Sequence, residues 1–368
     1  MKILVTGAQG FIAKNLIVRL AEHGYTDIVR FDRSHSINDL QSILSDVAFV
    51  FHLAGVNRPK DDKEFLQGNT DLTAHLVDAL KKTQRRIPLV FTSSIQAERD
   101  NAYGRSKLEA EKLVLGYMQD TDAPAYVYRL PNVFGKWCKP NYNSAVATFC
   151  HNIVKGLPIT VHDKNAALSL VYIDDVCDAI ISLLGDKENG GYKNVTPVYQ
   201  TTVGGVVETL QKFKQSRDNL VIEDVGVGLT RALYSTYLSY FSPEQFSYLI
   251  PGYTDPRGTF VEMLKTPNTG QFSFFTAHPG VTRGGHYHHS KNEKFLVIKG
   301  KASYRFKHII TDEFFELTTD STEHRIIETI PGWSHDITNV GDEVLIVMLW
   351  ANEIFDRNNP DTIASPLV

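Results

Sequence analysis

The sequence predicts two fold classes in series, a doubly wound parallel α/β sheet and then an all-β barrel. Three observations predict them. Strand-like and helix-like hydrophobic periods alternate over the first half of the chain, as they do where helices cover both faces of a parallel sheet. After about residue 245 helical periodicity largely disappears, and short strand-like runs are separated by turn signals. Seven of the 13 histidines (His278, His286, His288, His289, His308, His324 and His335) fall within residues 278–335, so the last third carries chemistry of its own.

Bulk properties narrow the function. A chain of 368 residues favours two domains at roughly 100–200 residues each. Thirty-eight Lys plus Arg against 42 Asp plus Glu give a formal charge of −4, which argues against a protein dominated by phosphate-backbone contacts; no nucleic-acid partner is expected. No apolar run approaches the roughly 18 residues of a membrane span, so no membrane partner is expected either. The start, Met1 to Gly7, is too short for a secretory leader and runs into glycines. Cys138, Cys150 and Cys177 are too few for a disulfide framework, match no zinc-finger spacing, and are expected to pack as small hydrophobes. A reduced, cytoplasmic enzyme is the simplest expectation.

In order, Lys2–Thr6 reads as a strand, Gly10–His23 as a helix, Ile28–Asp32 and Ala48–Ala54 as strands, and Asn69–Lys82 as a helix. Pro88–Ser93 is a strand, Ala102–Leu115 a helix and Ala125–Leu130 a strand; the alternation continues less cleanly to Lys214, through a strand near Leu168–Ile173 and a helix from Asp174. Pro243, Pro251 and Gly252 punctuate residues 241–255, which sets the expected domains at 1–245 and 246–368. Beyond that boundary the strand-like runs are Gln271–Ala277, Phe295–Ile298, Ala302–Phe306, Ile326–Thr329 and Glu343–Trp350.

The first candidate site opens at Gly7-Ala8-Gln9-Gly10-Phe11-Ile12-Ala13, after a strand and into a helix. Gly7 permits a tight turn, Gly10 lets backbone approach a pyrophosphate, and the small Ala13 lets the helix pack on the strand, with phosphate charge at the helix N-terminus. Asp32 lies at the end of the second strand, where a carboxylate binds the ribose hydroxyls of NAD; Arg33 follows, where a guanidinium accepts the 2′-phosphate of NADP. Both also fit solvated loop charges, and the pair leans towards NADP. Tyr103 and Lys107 stand four apart on one helix face, with Ser94 before them at a strand end. An ammonium near a phenol favours phenolate, and such a tyrosine exchanges a proton with a carbonyl or alcohol oxygen. A surface Tyr–Lys pair is the plain alternative.

These residues resemble the extended short-chain dehydrogenase/reductases, particularly those acting on nucleotide sugars. The matching pieces are TGAQGFIA at 6–13, HLAG at 52–55, the Asn69 helix, TSS at 92–94, YGRSK at 103–107, PNVFG at 131–135 and VYIDDV at 171–176. The resemblance covers roughly residues 1–240, with Ala13 where the family has its third glycine. It implies a Rossmann-type sheet and a catalytic set of Ser94, Tyr103 and Lys107, with Ser93 as the alternative to Ser94. It also implies that Gly7, Gly10, Phe11, Ile12, Asp32, Arg33, Leu53 and Ala54, with Tyr103 and Lys107, hold the cofactor, expected to be NADPH.

The second candidate site is Gly280-x5-His286-x-His288-x4-Glu293-x6-Gly300. In a strand, residues i and i+2 share a face, so His286 and His288 point together and His289 away. Ser290-Lys291-Asn292 looks like a hairpin turn that returns Glu293 to the two imidazoles, and His335 in Pro331-Gly332-Trp333-Ser334-His335, followed by Asn339, offers a fourth ligand. Two histidines and a carboxylate with open positions form a metal site able to bind an oxygen ligand. A His-rich exposed loop is the alternative. The pattern resembles the cupin family, a double-stranded β-barrel, over about residues 255–360, although Pro331 abuts Gly332 in the second motif. The resemblance implies a metal at His286, His288, Glu293 and His335, with zinc first and iron or manganese also suited. Asp255-x-Arg257-Gly258-x-Phe260 and Arg283-Gly284-Gly285-His286 instead resemble the metal-free sugar 3,5-epimerases and ketoisomerases, in which His286 would be a catalytic base.

A short-chain reductase followed by a metal cupin resembles a family of bifunctional capsule enzymes of L-fucosamine biosynthesis. AGVNRP at 54–59, GKWCKPNYNS at 135–144, LYSTYLSY at 233–240 and HHSKNEKFLV at 288–297 carry that resemblance. In the insert, Lys136, Lys139, Asn141 and Tyr142 would contact the substrate's diphosphate or sugar, or form a basic surface loop. The implied reactions are C3 epimerisation of a UDP-2-acetamido-2,6-dideoxy-4-hexulose in the cupin, then NADPH-dependent reduction of the C4 ketone to UDP-N-acetyl-6-deoxy-L-talosamine. A homodimer is expected from both families. The alternatives are a single-activity reductase or NAD-dependent 4-epimerase with a metal-binding cupin, and a cofactor-sensing regulator.

Overall fold

The computed structural model describes residues 1–59, 61–185, 190–255, 258–261, 264, 270–353 and 358–367, with backbone alone at 252–255, 258–261 and 271. Two compact units form, Met1–Ala145 with Ala167–Thr201, and Val146–Ala166 with Thr202–Val368. This division differs from the one expected at 245/246. The helices Val203–Asn219 and Gly228–Leu238 precede the change of style along the chain but pack with the second unit, where Ser235 Oγ donates to Ser290 O at 3.0 Å and Asn352 Nδ2 to Val225 O at 3.3 Å.

In the first unit, β1 (Ile3–Thr6), β2 (Ile28–Phe31), β3 (Phe49–His52), β4 (Leu89–Ser94) and β5 (Ala125–Leu130) pair in parallel in the order β2-β1-β3-β4-β5, and Gly190–Lys193 adds a sixth strand beside β5. β1 and β3 are buried throughout, as strands covered on both faces are. The helices Leu72–Lys82 and Ala102–Thr121 cover one face through Leu76, Val77, Leu80, Val114 and Tyr117, packed in one cluster with Leu4, Val50, Leu89 and Phe91. Each such leucine contributes about 2 kcal/mol by leaving water. Because the chain leaves β1 towards β2 on one side and joins β3 on the other, a crevice opens beyond their carboxyl ends.

The second unit holds the expected barrel as two antiparallel sheets of five strands. One runs Ser247–Leu249, Arg325–Glu328, Glu293–Lys299, Leu345–Ala351, Gln271–Ala277; the other Phe314–Asp320, Lys301–His308, Trp333–Asn339, Thr282–Tyr287, Ile363–Ala364. The sheets face each other across a shared interior, where the Phe295 ring lies 5.9 Å from Tyr304 and 6.4 Å from His335. Among the motif residues read from the sequence, Arg257 lies outside the described residues.

The turn expected at Ser290–Asn292 is not a hairpin. Thr282–Tyr287 pairs with Trp333–Asn339 in one sheet, while Glu293–Lys299 pairs with Leu345–Ala351 in the other. Residues 288–292 therefore cross between sheets. Their N–H groups leave the ladder: those of His289, Ser290 and Lys291 are taken by the Asp361 carboxylate, and that of Asn292 by Asn352 Oδ1.

Candidate functional site

The glycine turn stands at the mouth of the crevice. Gly7 has φ +67°, and a Cβ there would lie 2.7 Å from Ala54 Cα, so both backbone conformation and the approach of the Leu53–Ala54 segment demand glycine. Gly10 caps the helix Phe11–Glu22 without a side chain, leaving the first N–H groups, including those of Phe11 and Ile12, for an anion. Ala13 is buried under the helix, as its small size predicts. Asp32 is engaged locally: its carboxylate accepts from Ser34 Oγ at 2.6 Å, Ser34 N at 3.0 Å and Gln9 Nε2 at 3.2 Å, and these bonds, Ser34 first, hold it well below the usual range. Arg33 is exposed beside it.

The candidate proton relay is assembled by β4 and the helix Ala102–Thr121. Successive residues of a strand face opposite sides, and here Ser93 donates to the buried Glu111 while Ser94 Oγ accepts from Gln96 N and lies near enough to Tyr103 to act on its phenol. Burial raises the Tyr103 phenol above its ordinary value, with Ser94 opposing. Lys107 does not lower it as expected. Its ammonium donates to Thr92 O at 2.8 Å, over the Phe91 ring, and burial pulls it down to about 8 although Glu111 resists. Tyr103 is thus a protonated phenol, the form that can give a proton to a ketone oxygen.

Sequence reasoning matched HLAG and Asn69 as motif pieces without giving them roles. The structure supplies them. Thr6 Oγ1 accepts from Ala54 N at 3.2 Å and lies 2.7 Å from His52 Nδ1; His52 Nε2 lies 2.9 Å from Thr73 Oγ1, which donates to Asn69 O. Thr73 has spent its hydrogen on that carbonyl, so His52 donates from Nε2 and accepts at Nδ1 from Thr6. Burial, with the nearby Lys107 charge, lowers His52 to about 3 and keeps it neutral. Asn69 in turn donates to Ser106 Oγ at 2.9 Å, and Ser106 donates to Tyr103 O at 2.8 Å. One buried polar chain thereby ties the glycine turn to the helix bearing Tyr103.

In the insert, Lys136 is 1% exposed and its ammonium is paired with Asp174 Oδ1 at 2.6 Å. It is an internal anchor, not a free cation for a diphosphate. Lys139 and Tyr142 stay nearer the surface, the ammonium 5.7 Å from the ring centroid.

In the second unit His286, His288, Glu293 and His335 come together with ligand atoms all within 4.8 Å of one another. Glu293 Oε2 is 3.3 Å from His288 Nε2 and 3.5 Å from His335 Nε2, close to the ~3.4 Å edge of a tetrahedron of donors about 2.1 Å from one ion. His288 Nδ1 donates to Asp361 O, which aims Nε2 at the Glu293 carboxylate, where a proton or a metal ion can lie between them. Burial opposes ionisation of Glu293, but His288, His335 and Lys291 outweigh it and hold the carboxyl well below its usual range. Burial and the other imidazoles lower His286 to about 3, and burial lowers His335. Three imidazoles and one carboxylate, with ligand atoms this close together, are a donor set that fits a divalent cation. His286, half-buried where the other three are buried, sits on the open side, while His289 turns away onto Tyr287. Asn339 bonds the backbone at Ala277 and Glu343 and is structural.

Residues 3–196 match the family model described as the NAD dependent epimerase/dehydratase family, and 253–363 match the polysaccharide biosynthesis C-terminal domain. A UDP-2-acetamido-2,6-beta-L-arabino-hexul-4-ose reductase of Pseudomonas aeruginosa is 56% identical over 365 residues, covering 99% of this chain and 98% of the relative. The crystal structure of the capsular polysaccharide assembling protein CapF from Staphylococcus aureus is 40% identical, with TM-score 0.66 and full coverage of both chains. A UDP-glucuronic acid 4-epimerase of Bacillus cereus with NAD, 23% identical over 58% of this chain and 83% of that one at TM-score 0.52, shares the fold.

Proposed function

Because the chain belongs to the NAD dependent epimerase/dehydratase family, we propose that it is a bifunctional nucleotide-sugar enzyme that epimerises C3 of a UDP-2-acetamido-2,6-dideoxy-4-hexulose and reduces its C4 ketone with NADPH. What supports this reading above all is that one chain carries both a Ser94–Tyr103–Lys107 relay and a buried three-histidine, one-carboxylate cluster.

In the reduction, Ser94 and Tyr103 hold the C4 oxygen. Bound nicotinamide supplies the hydride that C4 accepts. As negative charge reaches the oxygen, Tyr103 gives it the phenolic proton, with the Lys107 ammonium nearby in the same buried site. In the epimerisation, the C3 proton is acidic because it is α to the ketone; His286, on the open side of the cluster, would remove it, and a proton returned from solvent to the opposite face of C3 would complete the inversion. His288, Glu293 and His335 would hold a divalent cation, zinc first, whose charge favours the enolate oxygen. Epimerisation needs the ketone and reduction removes it, so reduction would lock the new configuration at C3.

A second reading is favoured by the donor count. Four protein donors fill a tetrahedral zinc, in which case the second unit binds metal without turning substrate over. Proton NMR in D₂O separates the two. With the 4-keto sugar and no NADPH, loss of the C3–H signal is the expected result. Tyr103→Phe should keep that exchange and lose reduction when NADPH is added, while His286→Asn should do the reverse. Retained C3–H in the native protein, with reduction on adding NADPH, would leave one active unit.

A further inference from the structure

Resting on the reading of His288, Glu293 and His335 as a metal site, we propose that Asp361 is its positioning residue, acting through both its carboxylate and its main-chain carbonyl. The carboxylate gathers the segment between His288 and Glu293. Its Oδ1 accepts from His289 N at 2.8 Å, and its Oδ2 from Ser290 N at 2.6 Å, Lys291 N at 2.7 Å and Ser290 Oγ at 3.0 Å. Three consecutive amides and a hydroxyl thus converge on one side chain. They do so where the backbone crosses between sheets and no ladder could receive them. The carbonyl of the same residue accepts from His288 Nδ1, which fixes the tautomer and turns Nε2 towards Glu293.

The strand that follows extends the same grip. Ala364 pairs with His286 and Ile363 with Tyr287, and Ser365 N donates to Gly285 O at 2.7 Å. Asp361 stands where this pairing ends and the crossing begins, so it sets where His288 stops being strand and how far Glu293 lies from it. The Arg231 guanidinium, from the helix Gly228–Leu238, adds a donor to Ser290 Oγ and lies 3.9 Å from the Asp361 carboxylate. Among the described residues, the hydrogen-bond partners of that carboxylate are all donors. An isosteric carboxamide would press its own N–H groups against them, which makes Asp361→Asn the sharpest test.

The test uses the full chain. Zinc affinity is measured by competition with a chelator, and the d–d absorption of the cobalt-loaded protein reports coordination; melting of the metal-free protein reports folding. Asp361→Asn is expected to weaken zinc binding about 10–100-fold and to alter the cobalt bands while still melting cooperatively. Asp361→Glu, which keeps two acceptors, is expected to recover part of the affinity, and it carries the test through its altered cobalt bands if the Asn variant does not fold. Native zinc affinity and native cobalt bands in a folded variant would overturn the proposal and leave the metal site standing. A wild-type chain that takes up neither zinc nor cobalt would overturn the metal site itself.

Discussion

Ser93 donates its hydroxyl to Glu111, whose carboxylate is also gripped by Arg129 at 2.7 Å and Tyr192 at 2.9 Å. That contact settles which of two adjacent serines faces which side of β4, because neighbours on a strand point oppositely. Ser94 lies on the side of Tyr103, and Ser93 completes a buried ion-pair network. Ser94→Ala is therefore expected to lower kcat for ketone reduction about tenfold or more by removing a hydrogen bond of about 1.5 kcal/mol, with an unchanged melting temperature. Ser93→Ala should do the opposite, costing about 1–2 kcal/mol of stability through the buried Glu111. Steady-state kinetics and thermal melts on both variants check the assignment; a kinetic defect confined to Ser93→Ala would reverse it.

Lys107 carries a pH signature. Burial holds its ammonium at about 8 against an ordinary 10.5. Between those values the unfolded chain binds the proton that the folded chain has released, so this residue's contribution to stability rises with pH across that window and is least favourable below pH 8. The cofactor-free protein should gain stability from this group between pH 8 and 10, and Lys107→Met should flatten that part of the profile while losing reduction. Parallel profiles for the two proteins would sink the assignment.

The parts of the fold legible in the sequence were those with a local period. β1, β3, β4 and β5 lie within a residue or two of the runs that predicted them, and both histidines at i and i+2 face the interior as their spacing requires. The division of the chain into units was less legible, because the helices Val203–Asn219 and Gly228–Leu238 read as a continuation of the α/β pattern and only tertiary packing assigns them to the β-rich unit. Asp361 left no signal at all. It sits in an Asn-Asn-Pro-Asp stretch that reads as an ordinary turn, and its role depends on segments 70–72 residues away. Lys136 misled for the converse reason: a lysine in a polar insert reads as exposed, and its burial depends on Asp174.

Asp32 and Arg33 divide the choice of cofactor. The Asp32 carboxylate is taken up by Ser34 and Gln9, whereas Arg33 is exposed. A guanidinium on a 2′-phosphate is a charge-assisted bond of about 1.5–3 kcal/mol. Arg33→Ala should accordingly raise KM for NADPH about ten- to hundredfold and change KM for NADH little. A native enzyme that prefers NADH, and loses that preference in Asp32→Ala, would assign the ribose contact to Asp32 instead.

His288 and His289 are neighbours of the same type, both buried, on the segment that leaves the strand Thr282–Tyr287, and their rings have different neighbours. His288 faces Glu293 at 3.3 Å and His335 at 5.3 Å between ring centroids; His289 lies edge-on to Tyr287 at 5.6 Å. If the cluster is a metal site, His288→Ala should lower zinc affinity about 100-fold or more, since even outer partners of a ligand are worth 10–100-fold. His289→Ala should keep one zinc per chain. Elemental analysis after dialysis against a weak chelator reads both. Equal loss from the two variants would mean that the histidine-rich segment collapses as a whole, and equal retention would mean that Glu293 Oε2 and His335 hold no ion with His288.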